Sequence, residues 1–150
     1  MKKINLVDKK GEKDIKKAII ELTGKIDHRT LVIWTTDCAE HVLSYFEEKY
    51  PKDNRPRKAI ETGRAWVLGK ISVGEVRTAA FAAHVAARDV KEGVARTVAR
   101  AAGHAAATTH VAGHAIHAAN YAATFISNER IWQYQHLLDL AKNSKTHTSS

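Results

Sequence analysis

Between Val98 and Ser127 the chain has no lysine, no aspartate and no glutamate. That absence is unusual for a helical stretch, because an exposed helix face normally recruits those residues. Other shortages bound the protein. There is one cysteine, Cys38, so no internal disulfide can form, which fits a reducing compartment; a cytoplasmic location is expected. Only two prolines, Pro51 and Pro56, interrupt the chain, leaving long segments free to be helical. No long apolar run follows the basic opening "MKKINLVDKKGEKD", so neither a signal peptide nor a membrane span is expected. HExxH, a nucleophile elbow, a phosphate loop and a dinucleotide fingerprint are all missing. No motif therefore demands a cofactor.

What is present is basic. The formal net charge is +8 over 150 residues, one domain's worth of chain. Eight lysines (Lys2, Lys3, Lys9, Lys10, Lys13, Lys16, Lys17 and Lys25) crowd the first 25 residues. A lysine-rich lead reads as a solvated face or loose arm, and no interleaved aromatics argue for nucleic acid. The expected division is a lysine-rich lead over 1–11, one helical domain over 12–142 and a polar tail over 143–150.

The periodicity is helical throughout. Ile15, Ala18, Ile19 and Leu22 form a stripe that ends at Gly24. Residues 27–50 read as one longer helix stopped by Tyr50-Pro51, despite the β-branched run "LVIWTT". Pro56 suits the first turn of the next helix, and Ser72 can cap the one after it, to about residue 90. One kinked helix or two shorter ones cover 94–127, with Thr108 and Thr109 where a break would fall. Asn128 can cap the last. The fold expected is all-α, a mostly antiparallel bundle of about six or seven helices. Alanine at this density lets helix axes approach closely, both inside the bundle and between subunits, so a homo-oligomer is expected.

The alanine-rich helices carry the chemistry. Arg77, His84 and Arg88 share a stripe beside Phe81, and His110, His114, His117 and Tyr121 share another, with Arg100 and His104 to its side. A buried arginine needs a carboxylate. Asp37 and Glu40 lie on one upstream helix face with His41, and Arg57, Glu61 and Arg64 on another, so the stripes are expected to converge in an interior Arg/His/carboxylate network. Such a network can be purely structural. It can also hold a catalytic acid or base among Asp37, Glu40, Glu61, His84, His104, His110 and His114. Arg57, Arg64, Arg77, Arg88, Arg100 and Tyr121 are then the candidates to grip an anionic substrate or ligand. A divalent metal is the candidate cofactor: His110-x3-His114-x2-His117 has ligand spacing, with Glu40 or Glu61 to complete it. Cys38 and the tryptophans Trp34, Trp66 and Trp132 read as core.

The pieces "WTTDCAEHVL", "PKDNRPRKAIETGRAWVLGKI", "RTAAFAAHVAAR" and "ARAAGHAAATTHVAGHAIHAANYA" resemble, in this order, the Imm-5-like putative immunity proteins over roughly residues 30–125. The resemblance implies a small all-helical protein that neutralises a toxin by binding it. The family pattern falls on Asp37, Glu40, Asp53, Arg55, Arg57, Glu61, Arg64, Trp66, Arg77, His84, Arg88, Arg100, His104, His110, His114 and Tyr121, leaving His41 and His117 outside. A protein partner needs an outward patch, whereas convergent Arg, His and carboxylates describe a pocket for a small ligand or substrate. Toxin binding is the first expectation, and an enzyme or ligand-binding protein the alternative.

Overall fold

The computed structural model describes residues 9–148, with side chains placed over 11–144. Seven helices and one single-turn segment follow one another: α1 (Lys9–Thr23), α2 (His28–His41), the single turn α3 (Ser44–Glu47), α4 (Arg55–Val67), α5 (Val73–Asp89), α6 (Val94–Ala107), α7 (His114–Ala123) and α8 (Glu129–Thr148). There is no strand among the described residues, and the all-α bundle is as expected. None of these helices is long and apolar enough to cross a membrane.

Local chemistry sets the helix ends. Asp27 caps α2 by accepting from the Thr30 N–H at 2.8 Å and the Thr30 hydroxyl at 2.9 Å. Ser72 caps α5 in a reciprocal box with Glu75. α4 closes in a Schellman turn: Gly69, at φ +74°, donates to the Trp66 carbonyl, and Lys70 donates to that of Ala65. The break foreseen at Thr108–Thr109 is real. Their hydroxyls donate back to the carbonyls of His104 (2.9 Å) and Ala106 (2.8 Å), while the Thr108 carbonyl lies 2.7 Å from His28 Nε2. A carbonyl held by a side chain from α2 is no longer offered to a continuing helix.

Three expectations need correction. The helix expected over 27–50 is broken at Val42, where backbone bonds tighten to a three-residue span (Val42 to Ala39, Leu43 to Glu40). Burial of Val42, Leu43 and Phe46 in the core outweighs the local preference for one continuous helix. Asn128 has φ +67°, a left-handed conformation rather than the extended one of a capping residue. The lead and tail are shorter than their expected spans. Residues 1–8 and 149–150 lie outside the described residues, but 9–11 already belong to α1 and 143–148 to α8.

α6 is the hub, packing on α2, α3, α4, α5 and α7. It reaches so many neighbours because its buried face is almost all small: Ala95, Val98, Ala99, Ala101, Ala102, Gly103, Ala105, Ala106 and Ala107. Bulk comes from the neighbours, with Val42, Leu43, Phe46 and Ile60 filling the space around it. A second cluster joins α1, α2, α7 and α8 around Trp34 and Leu137. There the Trp34 indole N–H donates to the Gln133 carbonyl at 2.9 Å, and Gln133 donates to that of Ala119 at 2.9 Å. Trp34 is a core residue and Cys38 is fully buried, its thiol pKa pushed up by desolvation. Trp66 and Trp132 are only half-buried, against the expectation that all three tryptophans are core.

Candidate functional site

The face of α6 not committed to the core carries Arg100 and His104, four residues apart and so on one stripe. α5 and α7 both pack on α6, and their polar stripes meet His104. From α5, the His84 ring stands 4.8 Å from that of His104, edge to face. From α7 come His114 (5.1 Å), His117 (5.4 Å) and Tyr121 (5.3 Å, within 10° of parallel). His110, in the turn before α7, lies 5.9 Å from His114. These side chains line the seam over α6 between α5 and α7, the α5–α7 groove, where His84, His104, His110 and His114 are half-buried and His117 is exposed.

Gly103 makes this approach feasible. A Cβ there would stand 2.7 Å from the His84 ring, so a larger residue would displace the imidazole.

Four of the imidazoles, those of His84, His104, His110 and His114, have their pKa values lowered. His104 Nδ1 and His114 Nδ1 are 2.9 Å apart, a distance that needs one protonated nitrogen and one bare acceptor. Burial, then the neighbouring His84, His114, His117 and Arg100, lowers the His104 pKa to about 4. Desolvation leads in depressing His84, His110 and His114 too, with Arg100, His114 and Arg88 acting on His84, and Arg77 on His110. The Nδ1 atoms of His84 and His110 are buried without a hydrogen-bond partner. Arg77, Arg88 and Arg100 carry no hydrogen bond or ion pair to any described residue. Arg88 instead lies over the Phe81 ring, 6.0 Å from its centre.

A second charged region, on α2, α3 and α4, is built oppositely. Arg64 donates to Asp37 at 2.7 Å and Glu40 at 2.9 Å. Arg57 grips Glu47 with two bonds of 2.6 and 2.8 Å and lies 3.6 Å from Glu40. Arg55 bridges Asp53 and Asp89. These bonds hold the Glu40, Glu47 and Asp53 carboxyls below their ordinary range. α8 extends the region. His136 Nε2 meets the second Asp37 oxygen at 2.8 Å, and His41 Nδ1 meets the buried Glu129 carboxylate at 2.6 Å. Trp132 is stacked between those imidazoles, 3.6 Å from His41 and 4.9 Å from His136.

The single interior network expected from the sequence is thus two regions. Asp37 and Glu40 spend their oxygens on Arg64, Arg57 and His136, and none reaches His84, His104, His110 or His114. Glu61 is exposed, without a hydrogen bond or ion pair. The three-histidine metal arrangement does not form either: among the described residues, no group of three or more His, Cys, Asp or Glu is placed to hold a metal ion. His117, outside the family pattern, belongs to the groove by contact. Glu47, Glu129, Trp132 and His136 were missed. For the last three a signal existed, since 129, 132 and 136 fall on one helix stripe.

Chemically, the groove offers three uncompensated guanidinium groups and neutral imidazoles able to accept protons. That set suits an anion.

No curated protein and no solved structure matches the chain. A family model described as Imm-5 like putative immunity protein matches residues 21–140. That stretch runs from the end of α1 into α8, so it takes in both charged regions and the α8 residues that the motifs alone did not reach. The chain belongs to the Imm-5 like putative immunity protein family.

Proposed function

We propose that this protein is an immunity protein that neutralises a toxin by binding it, and that the toxin docks on the α5–α7 groove. One observation carries the choice of face. The arginines of α4 are all tied to carboxylates of their own chain, whereas Arg77, Arg88 and Arg100 have none. Arg77 and Arg88 are exposed, and a guanidinium with no carboxylate of its own chain keeps its charge and donors available to a partner. Beside it, Phe81 is 66% exposed, an aromatic anchor next to a cation, as hot spots commonly have.

The test is neutralisation in cells. The chain is co-expressed with toxins encoded by neighbouring genes, and growth rescue is scored for the wild type and for the triple variant R77E/R88E/R100E. Rescue should fall at least tenfold while circular dichroism stays helical. Full rescue by a folded triple variant removes the groove as the docking face. A second reading, a small anionic ligand in the same groove, is favoured by the orphaned Nδ1 atoms of His84 and His110.

A further inference from the structure

The groove's composition points to the chemistry of what fills it. Its floor couples cations to proton acceptors. Arg88 lies one helical turn after His84 on α5 and Arg100 one turn before His104 on α6, while the two rings stand 4.8 Å apart. No acid answers them. The titratable groups facing these rings are arginines on α5 and α6, and His114, His117 and Tyr121 on α7. Of the acids on the other elements packed against α6 or α7, Asp37 and Glu40 are engaged with Arg64, Glu47 with Arg57 and Glu129 with His41, while Glu61 of α4 and Asp139 of α8 are exposed and make no hydrogen bond or ion pair with the groove residues. An anion entering the groove therefore meets permanent positive charge and neutral imidazoles whose protonation only burial and repulsion now prevent.

We infer that the floor of the α5–α7 groove is a proton-linked oxyanion site, bounded by Arg88 and Arg100 with His84 and His104 between them, and filled by side-chain carboxylates of an acidic partner surface. Charge complementarity chooses the occupant: a basic, open groove flanked by exposed Phe81 suits an acidic protein surface, not a basic one. A bound carboxylate replaces the missing counter-charge, so one imidazole takes a proton as the anion docks. The sign follows. The free histidines titrate below their ordinary value and the occupied ones higher, so between those two limits affinity rises as pH falls, tenfold per unit for one proton taken up. This deepens the proposed docking face and rests on it for the identity of the occupant, not for the site itself.

Two probes test it on the full chain: a hexaglutamate peptide, carrying carboxylates, and sulfate, an oxyanion that does not titrate in this range. The histidine ring protons are followed by NMR from pH 4 to 8, against chloride at matched ionic strength, and calorimetry in two buffers counts protons. Both probes should raise the His84 and His104 midpoints by about one unit, with up to about half a proton taken up per shifted histidine for each hexaglutamate bound. R88Q/R100Q should lose at least tenfold in affinity, and K58Q, away from the groove, should lose none. H104N, kept as a second variant should R88Q/R100Q misfold, should abolish most of the proton uptake. Midpoints that move no more than in chloride overturn the site, as do shifts that survive in folded R88Q/R100Q. Sulfate binding without hexaglutamate binding overturns the assignment to partner carboxylates in favour of a small anion. Wild-type rescue that is lost in R77E/R88E/R100E, with neither probe bound, would refute this inference alone. Proton-linked binding of both probes by a chain whose triple variant still neutralises toxin would refute the docking face alone.

Discussion

The α2–α4 region and the α5–α7 groove are made of the same residue types and solve opposite problems. In the first, each arginine of α4 ends on a carboxylate, and the acids are placed one turn apart so that one guanidinium can take two of them. In the second, arginine and histidine face one another without an acid. The difference shows that neither arginine content nor helix stripe decides what a charged cluster does. The supply of partners decides it. A cluster closed on itself ties the bundle's helices together, while one left open keeps its charge available for binding.

The largest effect that separates the regions is on folding. R64A leaves Asp37 and Glu40 without their shared cation in a half-buried setting, between the exposed and buried cases, and should cost about 2 kcal/mol in urea unfolding at neutral pH. R100Q removes a cation that only repels, and should be neutral or slightly stabilising, within about 0.5 kcal/mol. Equal losses in both would erase the contrast.

Much of this architecture was readable in advance. The capping pair Ser72–Glu75, the break at Thr108–Thr109 and the small-residue face of α6 are local patterns, and local patterns survive folding. The missing lysines and glutamates of 98–127 suggested a stripe that faces protein, and in the structure His104 is ringed by His84, His114, His117 and Tyr121. What could not be read was who meets whom. Arg57 shares a helix face with Glu61, and that face was expected to meet the histidine stripes, yet Arg57 pairs with Glu47 across the break after α2, a break set by core burial rather than propensity. Asp37 looked free to serve the histidines of the alanine-rich helices, yet α8 brings His136 to it. His117 was set aside because family motifs record identity and not contact.

Acid sharpens the comparison through a second, smaller effect. His104 has its pKa lowered on folding, so the unfolded chain binds the proton more readily, and stability falls as pH drops from about 6.5 to about 4. Discounted for a ring only half buried, the loss is about 1–2 kcal/mol. The carboxylates of the closed region act in the same direction but lower on the pH scale. Glu40, Glu47 and Asp53 are lowered, so their contribution is complete above their ordinary values and is lost only as pH falls through the depressed ones. Thermal unfolding against pH should therefore show a first decline between pH 6.5 and 4 that H104N flattens, and a steeper one below that R64A flattens. A single decline untouched by H104N would mean that the groove histidines titrate as freely as exposed ones.

The smallest effect on stability should have a large effect on geometry. G103A places a methyl group where the His84 ring now lies, 2.7 Å away. Replacing a mid-helix glycine by alanine gains roughly 1 kcal/mol of helix preference, and overpacking costs about 1–3 kcal/mol. The clashing atoms are the far end of a side chain that can swing outward, which keeps that cost at the low end. The net change should lie within about 1 kcal/mol, while the His84 ring resonances move and its pKa climbs back toward the ordinary value as the ring leaves its buried seat. No glycine in the closed region shows so short an approach; Gly63, against the Thr36 methyl at 3.1 Å, is the nearest case. A G103A variant as stable as the wild type but unable to neutralise would show that the open region is tuned by the position of one imidazole. One that unfolds outright would show that His84 is as firmly built into the bundle as Arg64.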